Sequence, residues 1–104
     1  SMLIKLMDIM SVQNNIQLKP IIIEIVMTEH LPYHIRIKAI QSLENFGDVS
    51  VIDEVLPLLN DAQNYIFYEN IVNLILAMDV MPDYESKLRE ASFKAMNNEQ
   101  ELSE

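Results

Sequence analysis

The sequence contains no cysteine and a single glycine, Gly47. Without cysteine there is no disulfide framework, no thiol nucleophile and no thiolate metal site. One glycine is too few for the loops that cradle phosphates. Basic residues are also scarce, 7 Lys and Arg against 16 Asp and Glu, for a formal charge of −9. That balance sets nucleic acid and anionic membrane surfaces aside as partners. No uncharged apolar run approaches the ~20 residues of a membrane-crossing helix, and the densest stretch, Ile21–Met27, is interrupted by Glu24. The stretch Met2–Met10 carries Lys5 and Asp8 and has no small-residue cleavage site, so no signal peptide is expected. A cytoplasmic location is the default expectation.

What is present is apolar and periodic. Half of the 104 residues are hydrophobic, enough to offset chain ordering and to fill the core of one domain. Apolar residues recur at steps of three and four almost throughout, the helical period. Six helices are predicted. The first spans Met2–Gln13 and the second Leu18–Glu29, with Pro20 in its first turn. The third spans Tyr33–Phe46, entered after Pro32 and stopped by Gly47. The fourth spans Val51–Leu59, with Ser50 as expected N-cap and Pro57 distorting its last turns. The fifth spans Tyr65–Met78 and the sixth Asp83–Asn97, bounded by Asp79 and Pro82. Residues 1–97 are expected to form the single domain and 98–104 a frayed acidic tail.

A stride of 31 residues organises these helices. It aligns Ile4, Ile35 and Ile66, then Ile9, Ile40 and Ile71, then Val12, Leu43 and Leu74. Periods of this size indicate stacked helix pairs that share one continuous core. The expectation is an all-α fold, an α-solenoid of about three stacked pairs.

The central copy carries a family resemblance. The segment from Ile35 and Arg36 through Ala39, Ile40, Ser42 and Leu43 to Phe46-Gly47-Asp48 resembles the second helix of a HEAT-like repeat. That family's pattern runs Val-Arg, small or apolar pairs, Ala-Leu, then Leu-Gly-Asp. Val51–Asp61 is similar to the first helix of a following repeat with its acidic turn. The short period resembles the phycobilisome-lyase type of HEAT repeat. The resemblance is strongest across Ile35–Asp61 and weaker across Ile66–Asp79. In the third copy Phe67 replaces the basic residue held by Lys5 and Arg36, and Asn70 and Asn73 replace Ala39 and Ser42.

A search for reaction chemistry yields negatives. His30 and His34 have a metal-compatible spacing, but Pro32 lies between them and no glutamate completes the zinc-protease pattern. They read as turn residues. Asp79, Asp83 and Glu85 lack the glycine and ligand run of a calcium loop, and Asp83 and Glu85 suit a helix N-terminus instead. Asp53 and Glu54 are adjacent, so they do not face each other on a helix. No catalytic residue, metal or cofactor is expected, and the chain is not expected to be an enzyme.

Two features stand out. Between Lys38 and Lys87 there is no Lys or Arg, yet nine acids occur: Glu44, Asp48, Asp53, Glu54, Asp61, Glu69, Asp79, Asp83 and Glu85. The first five form the expected acidic field. Such a field favours a basic partner or simply serves solubility. The second feature is the fifth helix. If Ile66, Ile71, Leu74 and Ala77 form its core stripe, Phe67, Tyr68, Val72, Ile75 and Leu76 point elsewhere. They are either buried between the fourth and sixth helices or meet a partner. Tyr65, Phe67, Tyr68, Glu69, Val72 and Ile75 are the candidate partner-contact residues. The first helix has little polar face and three methionines, Met2, Met7 and Met10. A second copy covering it, as a homodimer, is one expectation; continuation of a longer repeat array is another, and plain core packing a third.

The leading functional expectation is a non-catalytic module, a small acidic adaptor or scaffold with a protein or peptide partner. The resemblance implies a second, a bilin-lyase-like or chaperone role. A third is an acidic inhibitor or immunity protein for a basic, nucleic-acid-binding enzyme, whose binding would weaken as salt rises.

Overall fold

A computed structural model of the chain describes Met2, Lys5 and residues 16–103, with side chains described through residue 98. Within these bounds the protein is all-helical, with no strand among the described residues. It has five α-helices: α1 (Lys19–Met27), α2 (Tyr33–Leu43), α3 (Ser50–Val55), α4 (Tyr68–Ala77) and α5 (Met81–Ser103). Short 3-10 turns precede α1 at Ile16–Leu18, follow α2 at Glu44–Phe46, and fill the α3–α4 connection at Leu56–Asn60 and Ala62–Phe67. These five, among the described residues, correspond to the second to sixth of the six expected helices. The expected first helix, and the homodimer contact placed on it, lie outside the described residues apart from Met2 and Lys5.

α1 and α2 form an antiparallel hairpin. Pro20 sits in the first turn of α1, where a missing N–H leaves no helix carbonyl short of a donor. Ile22 and Val26, one turn apart, are fully buried. The chain turns at Thr28–Leu31, and the Pro32 carbonyl accepts the first amide bonds of α2 from Ile35 (3.1 Å) and Arg36 (3.2 Å). The buried stripe of α2 is Arg36, Ala39, Ile40 and Leu43, the i, i+3, i+4, i+7 face of a helix. Ser42 is buried beside it and donates its hydroxyl to the Ala39 carbonyl at 2.9 Å.

Gly47 ends the 3-10 turn after α2 with φ of +62°. This left-handed conformation disfavours side chains with a Cβ. The expected cap of the next helix is corrected. Ser50 is the first residue of α3, Val49 stands at the N-cap without a side-chain bond, and the Ser50 donors go to the Asp48 carboxylate. Its Oδ1 accepts the Ser50 amide (3.0 Å) and hydroxyl (2.7 Å), closing an Asx turn. Its Oδ2 takes the Lys19 ammonium, which ties the start of α1 to the entry of α3. The ammonium first, then the Ser50 donors, lower the Asp48 carboxyl from 3.8 to about 2.

Pro57 lies in the 3-10 turn Leu56–Asn60, and α3 stops at Val55 rather than continuing to Leu59. An α-helix through residue 57 would lack one amide donor and would clash with the preceding turn. The Asp61 carboxylate accepts the Gln63 amide at 2.9 Å and starts the second 3-10 turn, which leads into α4.

α4 ends in a Schellman arrangement. The Asp79 amide bonds the Leu76 carbonyl (3.1 Å) and the Val80 amide bonds the Ile75 carbonyl (3.4 Å). Asp79 takes φ of +57° at the position where glycine is usual. α5 then begins at Met81 and continues to Ser103, past the expected boundary at Asn97. Nothing beyond Pro82 in α5 breaks a helix: there is no further proline or glycine up to residue 103. Tyr84, Leu88 and Ala91 turn one stripe of α5 into the core. The Tyr84 hydroxyl donates to Asp53 Oδ1 at 2.9 Å, joining α5 to α3.

Candidate functional site

The register of α4 differs from the one expected. Phe67 is 0% exposed and Ile75 is 0% exposed, whereas Ile66 is 49% exposed. The buried residues Phe67, Ile71, Leu74 and Ile75 stand at i, i+4, i+7 and i+8, a continuous helical stripe. Ile66, aligned with Ile35 by the stride, faces out. Ala77 is exposed as well.

Phe67 is held by two contacts with α2. The Arg36 guanidinium lies 4.6 Å from the Phe67 ring centroid, and the Tyr33 ring meets the same ring edge-on at 5.7 Å. Arg36 is itself buried, and its Nε donates to the Val26 carbonyl at 2.8 Å in the last turn of α1. A cation at a helix C-terminus is favoured by the orphan carbonyls there. Among the described residues its Nη2 has no hydrogen-bond partner. The positions that the sequence pairs by stride, Arg36 and Phe67, are therefore in direct contact.

Of the six expected contact residues, Phe67 and Ile75 belong to the core, and Tyr65, Tyr68, Glu69 and Val72 reach the surface. Tyr65 and Tyr68 stack with ring centroids 4.7 Å apart at 25°. At 3.6 residues per turn, Tyr68, Val72, Leu76 and Glu69 fall within one strip of α4 about 100° wide. Of this strip, Tyr68 and Val72 form one wall of a groove of about 400 Å³. α5 supplies the other wall.

Tyr68 and Val72 line the groove from α4; Met81, Leu88, Phe93 and Met96 line it from α5. Glu85, Arg89 and Ser92 add polar groups, with Glu85 Oε1 and Arg89 Nη2 paired at 3.6 Å. The Tyr65 hydroxyl lies 3.5 Å from Ser92 Oγ, so the tyrosine stack closes one flank of the groove. Phe93 and Met96 are 59% and 57% exposed. The α5 residues were not anticipated from the sequence. Their signal is the recurrence of Met81, Leu88, Ser92 and Met96 at i, i+7, i+11 and i+15, a second stripe beside the core stripe of Tyr84, Leu88 and Ala91.

On the other flank of α5 lies a cleft of about 470 Å³. Its charged residues alternate in sign, Lys87 and Lys94 against Asp53 and Glu90, over a floor that includes Leu56 and Leu59. Burial, and then the Asp53 carboxylate, raise the Tyr84 phenol above its ordinary value.

The expected acidic field divides by task. Asp48 accepts the Ser50 amide and pairs with Lys19; Asp53 accepts the Tyr84 hydroxyl; Asp61 caps the second 3-10 turn. Glu44 and Glu54 are exposed. His30 and His34 are exposed on either side of Pro32. Among the described residues no cluster of three or more His, Asp or Glu side chains could hold a metal ion, and no helix is long and apolar enough to cross a membrane.

Comparison with known proteins finds no family model, no curated protein and no solved structure that matches the chain.

Proposed function

We propose that the protein is a non-catalytic interaction module, a small acidic HEAT-like adaptor or scaffold that takes a basic or basic-hydrophobic protein partner. The observation that carries this reading is the exposed groove between α4 and α5, with aromatic, methionine and valine side chains on its walls. Aromatic residues and methionine are the types enriched where protein surfaces meet. The chain that presents them has a formal charge of −9, which speeds encounter with a basic surface and repels an acidic one. The HEAT-like stacking of helix pairs belongs to the same proposal. It is supported by the stride of 31, which carries Arg36 to Phe67, Ile40 to Ile71 and Leu43 to Leu74, each of them buried.

The test is affinity capture from the source cell on the full chain, with bound proteins identified and eluted along a salt gradient. The reading expects a basic protein, retained at low salt and weakened as ionic strength rises. Recovery of no specific partner, or of an acidic one, would overturn it.

A further inference from the structure

We infer that the α4–α5 groove seats an amphipathic helix of the partner, apolar along one face and flanked by lysine or arginine. This rests on the interaction-module reading and deepens it by assigning the surface and the form of the ligand.

The form follows from the walls. Both are helices, whose interior backbone groups bond within the helix itself, and there is no strand edge among the described residues. An extended peptide gains its affinity from main-chain bonds to such an edge and would find none here. A helix satisfies its own backbone and offers only side chains, which is what the groove can receive. Its length follows from α5. Met81 and Met96, which both line the groove, are 15 residues apart, about 22 Å along the helix axis. An occupant of about 15 residues, with apolar anchors at i, i+4, i+7 and i+11, matches that span. Methionine at Met81 and Met96 lets the walls adapt to different anchors.

The charge of the flanks follows from the rim. Glu85 lines the groove, and Glu69 shares the outward strip of α4 with Val72 and Leu76. Glu85 and Arg89 pair with each other and leave the lining itself without net charge, so the acid of the rim is Glu69. Along the sequence, residues 39–86 hold nine acids and no Lys or Arg, and although α5 carries Lys87, Arg89 and Lys94 the whole chain keeps a formal charge of −9. A basic flank complements this field, and an acidic one is repelled.

The experiment is selection from a displayed library of peptides about 15 residues long, patterned as helices with both acidic and basic flanks, against the full chain. Enriched peptides are then titrated against the wild-type protein, Phe93→Glu and Lys94→Ala. Phe93 is exposed, so its replacement leaves the core intact; circular dichroism checks this. The expected result is enrichment of Lys- or Arg-flanked amphipathic sequences, with affinity reduced about tenfold or more by Phe93→Glu and changed less than about twofold by Lys94→Ala on the opposite flank. Enrichment of acidic or non-amphipathic sequences would overturn the inference. So would peptides that bind Phe93→Glu as well as wild type. Light scattering of the free chain gives one more decisive outcome: a dimer that Phe93→Glu dissociates would make the groove a contact between copies. Because the library does not depend on the cellular partner, the selection can fail while affinity capture succeeds. In that case the groove assignment falls and the module reading stands.

Discussion

α2 and α4 stand one stride apart and solve the same problem with different chemistry. Each buries an i, i+4, i+7 stripe: Arg36, Ile40 and Leu43 on one helix, Phe67, Ile71 and Leu74 on the other. At the first of these positions the two helices meet, guanidinium against ring. A buried arginine with no carboxylate partner among the described residues is tolerated because its Nε holds the Val26 carbonyl and its planar face rests on an aromatic quadrupole. The outward faces are mixed on both: α2 turns Tyr33, His34 and Gln41 to solvent, while α4 turns out Glu69, Asn73 and Leu76, with Tyr65 and Ile66 at its entry. Equivalent inner faces make a shared core; what sets α4 apart is the groove that its Tyr68 and Val72 form with α5.

The largest effect should come from breaking the shared position. Phe67→Ala opens a cavity in a fully buried site and is expected to cost about 3–5 kcal/mol. By contrast, Leu76→Ala on the exposed strip should stay within about 0.5 kcal/mol. Urea unfolding of the two variants measures the difference, and equal losses would mean that Phe67 is not the core residue. Arg36→Ala should cost about 2–4 kcal/mol, because it leaves the Val26 carbonyl without its donor and the Phe67 ring without a cover. Arg36→Met should cost less than Arg36→Ala, since it fills the volume without burying a cation. If Arg36→Met is the worse of the two, the charge itself is stabilising.

Helix endings sharpen the comparison at a smaller scale. Gly47 follows the α2 segment at φ +62°, and Asp79 follows α4 at φ +57°. A Cβ at Gly47 would meet nothing within 4 Å, so Gly47→Ala isolates the backbone cost, expected near 1 kcal/mol of destabilisation. Asp79→Gly relieves the corresponding strain and should stabilise by up to about 1 kcal/mol. Opposite signs in thermal or urea unfolding are the expected outcome. Equal signs would show that Asp79 makes a compensating side-chain contact.

These same elements show how much was legible in the sequence. The stride of 31 relates buried positions, and Gly47 marks the end of the α2 segment, because both depend on local chemistry. The isoleucine layer misled. Ile35 and Ile66 are the conspicuous apolar pair, yet Ile35 is only half-buried and Ile66 is exposed, while the dissimilar Arg36 and Phe67 are both buried. A hydrophobicity match cannot reveal that a guanidinium and a phenyl ring occupy one layer by stacking on each other. Four of the six proposed contact residues reach the surface, because Tyr65, Tyr68, Glu69 and Val72 are left over whichever core stripe is chosen. The α5 wall was missed because a groove is made by two helices together, and neither Phe93 nor Met96 shows its neighbours in one dimension. Ser50 as a cap failed for a local reason: Asp48, two residues earlier, offers a charged acceptor that also reaches Lys19.

The smallest expected effect concerns that last carboxylate. Asp48 is lowered from 3.8 to about 2, chiefly by the Lys19 ammonium and then by the Ser50 donors. A carboxyl with a depressed folded-state value stabilises the fold above its unfolded value, and that contribution fades as pH falls toward about 2. The side chain is partly open to solvent, so screening keeps the contribution modest. Asp48→Asn keeps an oxygen acceptor for the Ser50 amide and removes the charge. It should therefore lie slightly below wild type in urea midpoint at about pH 6 and converge with it between about pH 4 and pH 2. Raising salt to about 0.5 M should narrow the gap at about pH 6 as well. No gap at about pH 6 would assign the whole role of Asp48 to the Asx turn that asparagine keeps, and the tie between α1 and α3 would then owe nothing to charge.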